Sequence, residues 1–422
     1  MTVLGTRPDP LAGETTALTG TGGAATRRRG FSWLLLPLSI FAVTRIIDVV
    51  LVLVTARHQY AVALLPQEPG IPKPASGSSY LDVIANWDGQ WYRVIAEHGY
   101  PTHLPFADGA VLRNPWAFYP LYPALVRAVM QTGLSYGAAA SLVSLVCGAA
   151  AMCLLFRMLA PRCGRFAASL SVLALCTFPA AVTLQAAYTE SLGLLEILAA
   201  LWCLRERRYG ALLGVALLLA LTRPIVLPLA LVAAVHGLSR WRRRRDDSFS
   251  RTEAVRLAVV VVLIGLSFLI WPLVAALVTG QRDAYMETQH AWTDQQHGWP
   301  SWLGVLLEGP HPVLVVVLMV TGLALAFVLL RAPARLWGLE LRAWAAAYPL
   351  YVLASTLPAS SIFRYAMPAI VPWWPFPEIG GVVTSRRGQV ALAALVGALG
   401  IVFQYFYLRW FFVIGPDMVG HS

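Results

Sequence analysis

The chain has 422 residues, 58% of them hydrophobic and only 13% charged, with a net charge of +11. A mean hydropathy of +0.64 excludes an ordinary soluble domain. The positive charge does not point to nucleic acid, because the arginines sit in short clusters between apolar runs, as orientation by positive loops requires. Apolar runs long enough to cross a bilayer recur from Trp33 almost to the C-terminus, which predicts an all-α, multi-pass membrane protein.

Residues 1–30 are rich in Gly, Thr, Ala and Pro and end in Arg27-Arg28-Arg29, the composition of a disordered cytoplasmic tail. The first span runs over about 33–55. It carries Arg45 and Asp48 on one face, either as a structural ion pair or facing a wet cavity. Residues 57–134 are expected to form the first extracytoplasmic loop, with interfacial helices. In Asn86–Pro101 the pattern is helical over 89–98. Trp91, Val94 and Ile95 fall on one side and Gln90, Arg93 and Glu97 on the other. Gly99 suits the end of that helix. Asp88 is a favoured N-cap, and a cap would hold its carboxylate in a fixed place. Tyr119-Pro120 and Tyr122-Pro123 then set two extended steps before a short interfacial helix over 123–131.

Further spans are expected over 135–157, 167–186, 190–204, 209–222, 224–238, 257–279, 312–331, 337–357, 366–384 and 389–411. That makes eleven, with the N-terminus cytoplasmic and a short outer tail over 412–422. Arg157, Arg162 and Arg165, then Arg205, Arg207 and Arg208, then Arg240 with Arg242–Arg245, fall on one side. The loops 57–117 and 280–311 fall on the other and are acidic or balanced. The five cysteines lie in spans or near their inner ends, so no disulfide framework is expected.

Several spans are short and broken. Leu221-Thr222-Arg223-Pro224, Tyr188–Ser191 and Phe363-Arg364-Tyr365 make tight turns, and such breaks tend to line a cavity. The outer ends thus bring Asp88, Glu190, Arg223 and Arg364 together with Tyr119, Tyr122, Tyr188 and Tyr365. A guanidinium fork matches the oxygens of a lipid phosphate, although arginines at this depth also snorkel for purely structural reasons. Trp87, Gln90 and Tyr92 flank Asp88. Gln289 and Trp292 stand in an outer loop whose interleaved aromatic and polar groups suit sugar binding. His290 and His297 lack a third ligand, so no metal is expected. Glu196 falls inside a span with no partner assigned.

The motifs Trp87–Tyr92 (WDGQWY) followed by His98-Gly99-Tyr100, Phe118–Arg127 (FYPLYPALVR), the YTES turn at Tyr188, the LTRP step at Leu221 and FRYAMP from Phe363 together resemble the PIG-V family. These are the GPI α-1,6-mannosyltransferase II enzymes and their bacterial relatives. The similarity covers residues 31–411. It implies the GT-C glycosyltransferase fold, a polyprenyl- or dolichyl-phosphate sugar donor at the outer face, and an acidic catalytic residue in the first outer loop, matching Asp88. The family usually shows FFPLYP where Phe118-Tyr119-Pro120 stands here, and Asn-Gly where Ile225-Val226 follow the LTRP step. Both departures bear on the acceptor and the sugar.

The expectation is therefore a cell-membrane, inverting glycosyltransferase acting at the extracytoplasmic face. It would move a hexose, mannose first, from a polyprenyl-phosphate donor to a lipid-linked or cell-envelope glycan. Asp88 would be the general base, and Arg223 and Arg364 would hold the donor phosphate. Trp87, Gln90, Tyr92, Tyr119, Tyr122, Tyr188, Glu190, Gln289, Trp292 and Tyr365 would contact substrate. A phosphate leaving group needs no general acid, and no cofactor is implied. The alternative is a transporter or flippase of an amphiphile, which uses similar broken helices.

Overall fold

The computed structural model describes residues 32–60, 77–293, 336–356, 361–369 and 379–415. The span expected over 312–331, residues 370–378 of the span expected over 366–384, the tail 1–30 and His297 lie outside the described residues.

Helix α1 (Ser32–Thr55) packs along α5 (Tyr136–Cys176), the longest element. Between them lie the short helix α2 (Tyr80–Val83), α3 (Asp88–His98), a small hairpin of β1 (Phe106–Ala107) and β2 (Ala110–Val111), and α4 (Leu121–Met130). At 1.5 Å per residue α5 would run about 60 Å, twice a hydrocarbon core. It is broken at Gly164, whose φ of 80° and ψ of 161° are not helical. The chain doubles back there. Ser144, early in α5, donates to the carbonyl of Ala186 at 2.7 Å, so residues well before and well after Gly164 lie side by side. The loop expected between 157 and 167 is thus a single glycine break within helix.

The C-terminal end of α5 is fastened to α1 through the Arg45–Asp48 pair. Arg45 meets Asp48 at 2.7 Å and donates to the carbonyls of Cys176 and Ala181, both at 2.6 Å. These carbonyls lie where α5 stops, so Arg45 satisfies acceptors that a helix end leaves open. The pair is structural.

The bundle continues through α6 (Glu190–Arg205), α7 (Tyr209–Ala220), α8 (Val226–Arg242), α9 (Arg251–Ser267), α10 (Ile270–Thr279) and α11 (Ala284–Thr293). Helices α12 (Leu339–Ser355), α13 (Ile362–Ala366), α14 (Ile379–Val382) and α15 (Arg386–Tyr407) follow, and α15 ends in a π-helical turn over Leu408–Phe412. α6 packs between α5 and α7, and α8 between α9 and α12. Among the described residues three helices, α1, α5 and α15 with its last turn, are long and apolar enough to cross a membrane. The pair α9–α10, bent by 42°, forms a fourth candidate. Val43, Ile46 and Val50 of α1, Val255, Val259 and Val262 of α9, and Val390, Val402 and Phe406 of α15 are exposed, as on helix faces turned to lipid.

The aromatic segment does not simply lie on an interface. Gln90 and Tyr92 of α3 are as buried as Trp91, Val94 and Ile95, because α3 packs on α4 and on the aromatic wall around Phe118 and Tyr136. Beyond Asp88, its Arg93–Glu97–His98 edge reaches outward, with Arg93 paired to Glu97 at 2.8 Å. Gly99 ends the helix at a φ of 83°, its N–H bonded to Ile95.

Candidate active site

Asp88 is held by its neighbours rather than by a cap. Tyr188 donates from its hydroxyl to the carbonyl of Asn86 at 2.8 Å. The Asn86 amide and the Trp87 indole N–H both donate to the carbonyl of Phe412, at 3.1 and 2.8 Å. Tyr136 donates to the carbonyl of Gly89 at 2.6 Å. These anchors turn the chain so that Trp87 takes the cap position at a φ of 56°. A positive φ on a bulky residue costs on the order of 1–3 kcal/mol and persists only where the surroundings impose it. Asp88 is the first helical residue, so the expected N-cap is not made. Gly89 fits because a Cβ there would stand 3.3 Å from Cβ of Ala187.

The carboxylate is therefore free to pair. Arg364 Nη1 lies 2.6 Å from Asp88 Oδ2 and 3.5 Å from Glu190 Oε1. Arg223 Nη1 lies 3.2 Å from the same Glu190 oxygen. Two carboxylates and two guanidiniums thus alternate in one chain. Glu190 sits at its centre, with a side chain only 1% exposed, whereas that of Asp88 is 29% exposed. Burial weighs against charge on both arginines. Glu190 for Arg223, and Asp88 with Glu190 for Arg364, outweigh it and hold each guanidinium above its usual pKa. The Tyr188 and Tyr365 rings lie 5.0 and 5.8 Å from the Arg364 guanidinium carbon, and Tyr365 lies 5.7 Å from that of Arg223.

The local sequence explains these positions. The tight turn at Thr222–Pro224 delivers Arg223 between α7 and α8, and its stem passes Gly193, where a Cβ would come within 3.1 Å. Thr222 donates to Glu196 Oε1 at 3.0 Å, which gives Glu196 its partner.

Asp88 stands on the wall of two cavities. One, of about 230 Å³, also has Glu190, Arg223, Tyr365, Tyr119, Gln289 and Tyr92 in its lining. The other, of about 240 Å³, is lined by Trp87, Tyr188, Arg364, Tyr407, Phe411 and Phe412 along with Asp88 and Ser361. Each chamber thus has one arginine, and the carboxylate is shared.

Three expected substrate residues lie elsewhere. Tyr122 is fully buried and bonds Ser144 at 2.9 Å, because helical phase turns it into the bundle, away from Tyr119. Gln90 faces a separate cavity with Ser79, Asp82 and Arg93. Trp292 packs against Trp91 and Phe118 and bonds the carbonyl of Asn114, supporting the loop. Tyr348 and Tyr351, not anticipated, also line the first chamber, with Thr189 and Thr222 of the two tight turns and Tyr285 of the outer loop. The tetrapeptide Tyr348-Pro349-Leu350-Tyr351 repeats Tyr119-Pro120-Leu121-Tyr122, a signal that could have marked it. The five cysteines are free, and no metal-binding group occurs among the described residues.

No family model and no curated protein sequence matches the chain. Among solved structures, ArnT from Cupriavidus metallidurans bound to undecaprenyl phosphate is similar at a TM-score of 0.50 and 15% identity, over 90% of this chain and 78% of that one. The archaeal oligosaccharyltransferase AglB from Archaeoglobus fulgidus, in complex with an inhibitory peptide and a dolichol-phosphate, is similar at 0.46 and 12%, over 92% and 57%. The likeness to ArnT shows a shared fold. The PIG-V resemblance within that fold rests on the quoted motifs alone.

Proposed function

We propose that the chain is a membrane-bound inverting glycosyltransferase that uses a polyprenyl-phosphate hexose, with mannose the first candidate. The observation that carries this reading is the Asp88–Arg364 pair on the wall between two chambers. The donor phosphate takes Arg364, with the lipid against Tyr407, Phe411 and Phe412. Arg223, behind Glu190, adds its charge to the phosphate site. ArnT, which shares the fold, was solved with undecaprenyl phosphate, and this supports a donor of that class.

The acceptor hydroxyl comes through the polar chamber, among Tyr92, Tyr119, Gln289 and Tyr365. Its oxygen attacks the anomeric carbon as the bond from that carbon to the phosphate oxygen breaks. Asp88 takes the hydroxyl proton. The phosphate leaves with the bonding electrons on its oxygen, and the new glycoside has the inverted configuration. The pairing explains the timing. In the free protein Arg364 is the counterion of Asp88; once the phosphate engages Arg364, the Asp88 carboxylate is released to meet the acceptor hydroxyl.

The acceptor is a lipid-linked or cell-envelope glycan at the extracytoplasmic face. Purified protein in sealed proteoliposomes, given radiolabelled polyprenyl-phosphate mannose and an envelope-lipid extract, is expected to move label into a new glycolipid. Label that crosses the bilayer still on its polyprenyl phosphate, with no transfer, would favour a flippase instead.

A further inference from the structure

At the far end of the bundle lies another cavity, of about 660 Å³. α6 carries Glu190 at one end and Arg205 at the other, about 22 Å apart at 1.5 Å per residue. α8 and α12 likewise reach from the chambers around Asp88 to this cavity, α12 through Tyr348 at one level and Glu340 at the other. Its wall holds six arginines and only two carboxylates, Asp247 and Glu340.

Both carboxylates are already engaged. Asp247 pairs with Arg207 and Arg240. Glu340 bonds His236 Nδ1 at 2.9 Å. His236 is 5% exposed, and its Nε2 meets no hydrogen-bond partner among the described residues. Arg162 spends one nitrogen on the carbonyl of Trp337, and Arg205 meets Glu206 only at 3.8 Å. Arg240 also meets Glu253 at 3.1 Å. With Glu206 and Glu253 counted beside Asp247 and Glu340, the six wall arginines still outnumber four carboxylates, which favours an anion. The fork of arginine favours phosphate oxygens.

Depth points the same way. Trp202 lies under Arg157 and Arg205, and the exposed Trp241 lies under Arg244. Tryptophan and arginine together mark the level of lipid headgroups, and basic pockets between membrane helices bind phosphate headgroups. We propose that this cavity is a second phosphate-anion site, separate from the Asp88 chambers, which takes the headgroup of an anionic lipid or a soluble phosphate compound of similar charge. Its volume accommodates more than one phosphate.

The test is thermal unfolding of the full chain in neutral detergent, with added cardiolipin, phosphatidylcholine or inorganic pyrophosphate. Cardiolipin is expected to raise the midpoint by several degrees and phosphatidylcholine not at all. The rise should fall by more than half in Arg205→Gln and in Arg243→Gln, the latter an exposed wall residue whose loss does not endanger the fold. Arg244→Gln, beyond the wall, should keep it. A rise with pyrophosphate but not cardiolipin, lost in the same two variants, assigns the site to a soluble phosphate. No rise with either anion, or a rise unchanged in both wall variants or equally lost in Arg244→Gln, overturns the proposal.

Discussion

Arg364 holds Asp88 at 2.6 Å and reaches Glu190 at 3.5 Å, so the residue read as the phosphate binder is also the counterion of the residue read as the base. A phosphate that engages this guanidinium competes with Asp88 for its charge. Donor binding and activation of the base are thereby linked through one side chain.

That linkage makes Arg364 sensitive to geometry as well as charge. Charge-assisted hydrogen bonds contribute about 1.5–3 kcal/mol. Arg364→Ala is expected to weaken donor use roughly tenfold or more, and Arg364→Lys to recover only part, because the fork is lost. Donor kinetics on correctly folded protein measure both. Wild-type kinetics in Arg364→Ala would remove Arg364 from the site.

Tyr122 tests the correction made by the structure. Its hydroxyl bonds Ser144 in the fully buried bundle, so Tyr122→Phe is expected to lower stability by about 0.5–1.5 kcal/mol. The KM for donor and for acceptor should not move. Chemical unfolding alongside kinetics separates these effects, and a raised KM at unchanged stability would return Tyr122 to the site.

Tyr122 also shows where the sequence was legible. The broken turns at Tyr188, Thr222 and Phe363 were readable as cavity-lining, and they do meet at one place, because a helix interrupted at such a level needs partners for its open backbone groups. The grouping of Asp88 with Glu190 and Arg364 was readable; the cap was not. Asp caps by local preference, but here Asn86 and Trp87 are anchored to Phe412, more than three hundred positions away. Tyr348 and Tyr351 were hidden inside an apolar span, where nothing local separates a tyrosine lining a cavity from one facing lipid. Gln90 and Trp292 share their neighbours' composition and differ only in helical phase and packing.

Orientation follows from the arginine asymmetry. Arg240–Asp247 is expected on the cytoplasmic side, and Asp88 and Trp292 outside. In a cysteine-free background, a cysteine replacing Arg244 should resist an impermeant thiol reagent applied to intact cells, and one replacing Trp292 should react. Labelling at position 244 from outside would reverse the assignment.

The most direct measurement is donor binding and sugar transfer in Asp88→Asn. Asparagine keeps the size of the side chain but cannot accept the proton, and it releases Arg364 from its ion pair. The variant is expected to bind polyprenyl-phosphate mannose at least as tightly as the wild type while losing transfer roughly a hundredfold or more. Retention of more than about a tenth of the transfer rate would contradict the assignment of Asp88 as the base. Loss of donor binding in step with transfer would reduce Asp88 to a counterion that only shapes the phosphate site.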